Sequence, residues 1–469
     1  MGVEAPQLKR TIGLRTVVST SAGLTFASST FLVVVQVACY LAGDSAWIAI
    51  VIAGALCALA AAAFSELNGM WPSVNGIRLY IHRAFGEKLS LVTALTYMTV
   101  VTFVVGTEAY VLSHVLSSAI PAIPPPWWIF LMLTVATLVN FRGLKLAGAF
   151  QDIITYSVVV SIVTMSILAL AHTHFQIPRP VATGGIGPIF QAVGVAIFLF
   201  VGFEWVTPLA DEVRSTKAIP VGMFIALAIL VISYSLITIA MFSSFGGITG
   251  RAELFGTLQS RNPTPHLTFA LAVFGPVGRW VMIATSLCMS LTTFNAGLIS
   301  VSRFIYGMAR DQVLPKGLAN ISFKFNTPDR ATLLVYVIAL AVSAVVYVTQ
   351  RFVLLVNLAA AAESFIYAFA AASVVALRFK DSGRARPYKM WGGLILPAIT
   401  AILFVVLGIG VFAQPGVEYW GSGLVLAAVA VSWWSYIQYI VHPKLLRTRA
   451  ESAAKRTSRR PKPVDEGGK

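Results

Sequence analysis

Three carboxylates of this 469-residue chain lie inside apolar runs long enough to cross a bilayer: Glu108 in VVGTEAYVL, Glu204 in FLFVGFEWVTPLA and Glu363 in AAAAESFIY. A carboxylate at that depth is costly unless it meets a partner, gates a path or carries a proton. Glu204 is the most telling, because Gly202 and Pro208 flank it. Both residues weaken a helix, and the backbone groups they free must face protein or a wet cavity. A broken helix with an acid beside the break is the pattern of a transporter's binding site. Glu108 and Glu363 are open to two readings, as acids facing the bundle or as acids near a membrane edge. Facing the cavity together, they would favour a cationic substrate such as a polyamine or basic amino acid, or would carry a proton. Glu66, beside Asn68 at a helix end, reads as a gate or capping residue.

A second irregular stretch is residues 19–31, STSAGLTFASSTF, with Ser, Thr, Gly and Ala in mid-run. Small residues there either allow close helix packing or permit an unwound segment whose free N–H groups hold an anionic group. The two stretches fall in the first and sixth apolar runs, which suggests two inverted five-helix halves with the site between them.

Other chemistries lack their residues. The chain has no HExxH helix, GxSxG elbow, Walker loop or Cys/His cluster, so no enzyme, catalytic residue, metal site or cofactor is expected. Cys39, Cys57 and Cys288 lie in apolar stretches and read as small core residues. His172 and His174, two apart, cannot share a helical face and read as interfacial.

The elements that must position these groups are membrane helices. The chain is 57% hydrophobic and 11% charged, with a mean hydropathy of +0.82, which defines a polytopic membrane protein. Its net charge of +16 does not point to nucleic acid, because most Lys and Arg sit in short gaps between apolar runs and in the C-terminal tail. Twelve runs are expected as spans: 17–41, 45–68, 89–117, 127–142, 149–172, 186–211, 220–244, 270–308, 330–350, 352–378, 391–413 and 419–441. The eighth is too long for one crossing and is expected to continue as a helix beyond the membrane. With the N-terminus inside, only Arg179, Arg251, Arg261, Arg279 and Arg351 face outward, so both termini are expected in the cytoplasm. Lys9, Arg10 and Arg15 lead straight into the first run, expected to act as its own insertion signal. The expected organisation is a cytoplasmic segment 1–16, a transport core 17–378 of two halves (17–172 and 186–378), peripheral helices over 391–441, and a basic, disordered tail over 442–469.

Four segments resemble the amino acid–polyamine–organocation superfamily of permeases, over nearly all of residues 10–440. They are FSELNGMWPSVNGIRLYIHRAFG (64–86), FLFVGFEWVTPLADEVRSTKAIP (198–220), SRFIYGMARDQVLP (302–315) and LVNLAAAAESFIYAFAAASVVALRFK (355–380). The resemblance implies an all-α, leucine-transporter-like bundle of twelve helices: a 5+5 inverted repeat with discontinuous helices 1 and 6, plus two peripheral helices. It implies a secondary transporter in the plasma membrane that moves an amino acid by alternating access. A permease for an amine or polyamine without a carboxylate, and a transport-dead sensor, are the alternatives.

The same resemblance supplies the site. Substrate contacts are expected at Thr25, Ala27, Ser28 and Ser29 and at Phe198, Val201, Gly202 and Glu204; Glu108 and Glu363, which are not usual family positions, are further candidates from their place in apolar runs alone. Ala27-Ser28-Ser29 stands where the family has Gly-Ser-Gly, which adds Cβ atoms at the unwound turn but keeps its N–H groups. Phe198 takes the place of the aromatic that closes over substrate, and carbonyls from Phe198 to Val201 would receive an ammonium. Some proton-coupled relatives have a fifth-span lysine; Ser157 or Val158 stands there instead. Thr292 and Thr293 align near sodium-binding hydroxyls, so Gly23, Phe26, Thr292 and Thr293 form a candidate ion site. Na+, H+ and ion-independent exchange all remain open. The expected partners are a small amino acid or amine and the lipid bilayer, with no nucleic acid.

Overall fold

The computed structural model describes residues 10–35, 41–73, 75–142, 144–177, 186–215, 217–245, 264–322, 324–413 and 417–445. Cys39, Arg179, Arg251, Arg261 and the tail beyond residue 445 lie outside the described residues. Within them the chain is helical, and its one strand-like feature is an isolated parallel bridge between Ile12 and Val213. Ten helices are long and apolar enough to cross a membrane. A shorter apolar helix, Pro125–Phe141, and an interrupted first span bring the described spans to the twelve expected.

Span 1 comprises Leu14–Thr25 and Thr30–Val35. Spans 2 to 5 are Ala46–Met70, Glu87–Ala119, Pro125–Phe141 and Leu144–His172. Span 6 begins as Ile186–Ala196, and span 7 is Ala218–Ser243. Spans 8 to 12 are Pro265–Arg310, Asp329–Thr349, Phe352–Lys380, Ile395–Phe412 and Val417–Tyr436. Spans 1 and 6, 2 and 7, 3 and 8, and 4 and 9 are all neighbours, as a pseudo-two-fold axis between two sets of five would arrange them.

Burial separates core from periphery. The most apolar windows of spans 6, 10 and 3 are 83%, 78% and 72% buried, whereas those of spans 11 and 12 are 33% and 11% buried. Lipid tails are as apolar as Leu, so these differences report protein contact rather than hydrophobicity. The three acids singled out above sit on the three most buried of the ten long helices.

Two elements differ from the sequence expectation. Span 8 is not one straight helix from residue 270: it starts at Pro265 and kinks at Gly275 (φ 67°, ψ −160°). Pro276 explains the kink, since its ring keeps the preceding residue out of the α region and removes a donor. The 64–86 signature also contains a helix of its own, Gly76–Phe85, which buries Ile77, Tyr80, Ile81 and Ala84 along one face.

Both irregular spans are broken. In span 1 the α-helix ends at Thr25, Phe26 is extended (φ −74°, ψ 93°) and helix resumes at Thr30. In span 6 the helix tightens to a 3-10 turn over Ile197–Phe200, reverses at Gly202 (φ 114°) and continues as 3-10 turns over Phe203–Leu209, which include Pro208. Only glycine suits position 202, for its φ and because an added Cβ would fall 2.7 Å from Leu24 Cγ of span 1. Gly202→Ala is therefore expected to destabilise the fold by about 1–3 kcal/mol, read as a lower melting temperature in detergent; an unchanged melting temperature contradicts the strain.

Candidate substrate site at the two broken spans

The interrupted segments meet each other. The Ser21 hydroxyl of span 1 donates to the Phe203 carbonyl of span 6 at 2.5 Å, which ties the first half-helix to the start of the 3-10 turns after Gly202. On span 7, the Tyr234 hydroxyl donates to the Thr25 carbonyl at 2.7 Å, and its ring packs on Phe26 and Phe200. Thr25 turns its own hydroxyl back to the Ala22 carbonyl at 2.6 Å, which caps the end of the first half-helix. Phe198 and Val201 are each 4% exposed, and residues 25–31 no more than 2%, so the described structure closes this region to solvent. The Phe198 carbonyl accepts the Val201 N–H at 3.1 Å, and the Phe200 carbonyl accepts the Tyr367 hydroxyl at 3.5 Å.

The amides freed in span 1 are taken by a carboxylate of the chain itself. Ser28 N–H donates to Glu108 Oε1 at 2.7 Å and Ser29 N–H to Glu108 Oε2 at 3.0 Å. From span 8 the Ser290 hydroxyl donates to Oε1 as well. The Ser28 hydroxyl bonds the Ser286 carbonyl at 3.0 Å and Ser290 Oγ at 2.9 Å. Glu108 thus faces the bundle and joins spans 1, 3 and 8.

Glu204 and Glu363 do not join it. They form a second acidic centre, in which the Tyr367 hydroxyl donates to Glu204 Oε2 at 3.0 Å and the Tyr97 hydroxyl to Glu363 Oε1 at 2.8 Å. Tyr97 lies eleven residues before Glu108 on span 3, about 16 Å along the helix. Glu363 therefore does not share a cavity wall with Glu108. The two carboxyls of the second centre lie close enough to each other to interact directly. Neither Glu204 Oε1 nor Glu363 Oε2 receives a hydrogen-bond donor. Two buried carboxyls this close are best accommodated when they share one proton. Trp205, 4.8 Å from the Tyr97 ring, and Phe203 beside Tyr367 enclose the pair.

The candidate ion residues also converge. Thr293 Oγ1 lies 2.8 Å from the Phe26 carbonyl and 3.5 Å from that of Gly23, and Thr292 Oγ1 lies 3.3 Å from the Phe26 carbonyl. The Met289 carbonyl accepts from both hydroxyls, at 2.7 and 3.2 Å. The fifth-span side chains beside them are ones the sequence reading passed over. Gln151 Nε2 and Thr155 Oγ1 both donate to the Ser19 carbonyl, at 3.1 and 3.2 Å, and a Cβ on Gly23 would fall 1.8 Å from Gln151 Nε2. Asn295 Nδ2 donates to Gln151 Oε1, and Asn140 Nδ2 to Asn295 Oδ1, both at 2.8 Å. Val158 faces inward with them, whereas Ser157 points outward and bonds its own turn. Two polar residues, Gln151 and Thr155, at helical spacing with Val158 are the available signal.

At the end of the bundle that holds the N-terminal segment, the spans are tied together. Arg303 of span 8 pairs with Glu212, both buried, and the Glu212 carbonyl accepts the N–H groups of Thr11 and Ile12 at 2.9 and 3.0 Å. Arg15 reaches Asp152 at 3.3 Å. Glu66 accepts from Arg378 at 2.5 Å, Arg386 at 3.1 Å and the Met390 amide at 2.8 Å, so it clamps span 2 to the segment after span 10.

Twelve membrane helices, with two broken at corresponding places and pinned together at the breaks, make a membrane transporter. The chain belongs to the amino acid permease family, whose sequence profile matches residues 12–441, within the amino acid–polyamine–organocation superfamily. It is similar to an uncharacterized amino acid permease (YecA) of Bacillus subtilis, 27% identical over 55% of this chain and 59% of that protein, so it spans less than two thirds of that relative. It is also similar to the methylthioribose transporter of the same organism, 23% identical over 91% of this chain and 93% of that one. The B. subtilis branched-chain amino acid permease BcaP is 23% identical over 79% and 82% of the two chains.

The buried ion pair at the tied end gives a stability test. Arg303→Met leaves Glu212 buried without its cation and is expected to cost about 3–5 kcal/mol. Adding Glu212→Gln is expected to recover most of that loss in the melting temperature. Additive losses would mean that the two side chains act independently.

Proposed function

We propose that this protein is a secondary permease that moves a small amine-bearing solute, of amino acid size, by alternating access at the crossing of spans 1 and 6. One observation carries the reading: both spans lose their α-helical hydrogen bonding where they meet, around Leu24 and Gly202, which leaves peptide groups there that depend on partners from outside their own helix. Thr25, Ala27, Ser28 and Ser29 form one wall, and Phe198, Val201 and Gly202 the other. The names of the family and of BcaP support an amino acid as the solute, whereas the methylthioribose transporter extends the range of relatives beyond amino acids. The basic loops support a plasma-membrane protein with both termini in the cytoplasm.

For coupling, the proton is the favoured ion. The Glu204–Glu363 pair holds one proton between span 6 and span 10, so that opening span 6 changes what holds it. Sodium is the second reading, favoured by the ring of oxygens from Gly23, Phe26, Met289, Thr292 and Thr293. Each Thr hydroxyl already donates to a carbonyl there, and a sodium ion would require both to turn.

Counterflow of labelled amino acids and amines in proteoliposomes tests the permease reading, and no exchange of any solute would defeat it. Phe198→Ala is expected to raise KM, and Glu204→Gln to lower turnover more than stability; normal kinetics in both would place the site elsewhere. Glu363→Gln, which keeps an acceptor for Tyr97 but cannot release a proton, is expected to abolish the pH dependence of uptake. A pH profile that survives this change, together with a requirement for sodium, would assign coupling to the Thr292–Thr293 ring instead.

A further inference from the structure

On the reading that solute binds where spans 1 and 6 are broken, we propose that the substrate is a cationic amine without a carboxylate, because Glu108 already fills the place that a substrate carboxylate would take. The geometry is that of a bound ligand. Each oxygen of Glu108 receives one freed amide, Ser28 N–H at 2.7 Å and Ser29 N–H at 3.0 Å. The hydroxyl of Ser290 adds a further donor. Three donors thus converge on its two oxygens, the arrangement that receives a carboxylate.

Charge decides the class of solute. Glu108 is fully buried, and every donor that reaches it is neutral. Among the described residues none of its contacts is a Lys, Arg or His. Its oxygens are satisfied while its charge has no counterpart, and a cation placed beside it is the missing partner. A substrate ammonium supplies that cation. An α-amino acid would bring a second carboxylate to amides already engaged, and admitting it would move Glu108 off both of them with its charge still buried. Glu108 is therefore the residue that sets specificity, standing in permanently for half of a zwitterion.

Amino acids and their decarboxylated amines separate these cases: lysine against cadaverine, leucine against 3-methylbutylamine, phenylalanine against phenethylamine. Full-length wild-type protein is tested by thermal shift in detergent and by counterflow in proteoliposomes with both members of each pair. At least one amine is expected to bind and exchange, with its parent amino acid about a hundredfold weaker, as expected when a ligand must displace two charge-assisted hydrogen bonds. Glu108→Ala frees both amides and is expected to reverse that order in favour of the parent amino acid. An amino acid that binds wild-type protein as tightly as its amine overturns the assignment but leaves the permease reading intact. No binding or exchange by either member of any pair overturns both. If Glu108→Ala does not fold, the wild-type ranking decides. Glu108→Gln, which keeps the volume but not the charge, is then expected to lose amine affinity by about tenfold or more; unchanged affinity overturns the assignment.

Discussion

A peptide group that leaves a helix inside a bilayer has no water to turn to, and this structure answers that constraint with side chains brought from neighbouring spans. Ser21 takes the Phe203 carbonyl, Tyr234 that of Thr25 and Thr293 that of Phe26. Glu108 takes the amides of Ser28 and Ser29. Spans 3, 7 and 8 are thereby fastened to the breaks in spans 1 and 6. An unpaired buried amide or carbonyl costs about 1–3 kcal/mol, so these fastenings can change only if others replace them. That is the condition for two discrete arrangements rather than a loose one.

The two acidic centres divide the work along span 3. Glu108 closes the unwound turn of span 1, and about 16 Å away Tyr97 holds the Glu204–Glu363 pair against the broken half of span 6. One helix thus touches both interrupted spans, one through the Glu108 carboxylate and the other through the Tyr97 ring packed on Trp205. The end beyond them is tied by full ion pairs, Arg303 with Glu212 and Glu66 with Arg378 and Arg386. The described structure is closed there, and those pairs are what an opening at that end would have to separate.

Much of this architecture can be read from the chain because each signal is local. Twenty-residue apolar runs give the spans, and Gly202, Glu204 and Pro208 within seven residues give the break in span 6. The small residues of 19–31 allow a break in span 1 but do not require one, since Ser and Ala also serve packing; the structure resolves the choice. Partnerships are less legible. That Glu108 would reach Ser28, or Glu204 meet Glu363, depends on the rotation of helices 80 and 159 residues apart in sequence. A span buried on most sides carries no amphipathic stripe to reveal that rotation. The same problem hid Gln151, Thr155 and Asn295, polar residues that read as tolerated until their partners are known. The helix Gly76–Phe85, by contrast, carries a legible stripe, with Ile77, Tyr80, Ile81 and Ala84 at helical spacing.

The central claim is that the two breaks together hold the transported solute. Cryo-EM density of the protein with a transported solute bound measures this directly. Solute density is expected between Ala27–Ser29 and Phe198–Gly202, within contact of both segments. Density for the solute elsewhere in the bundle, with Leu24 still packed on Gly202, would contradict it.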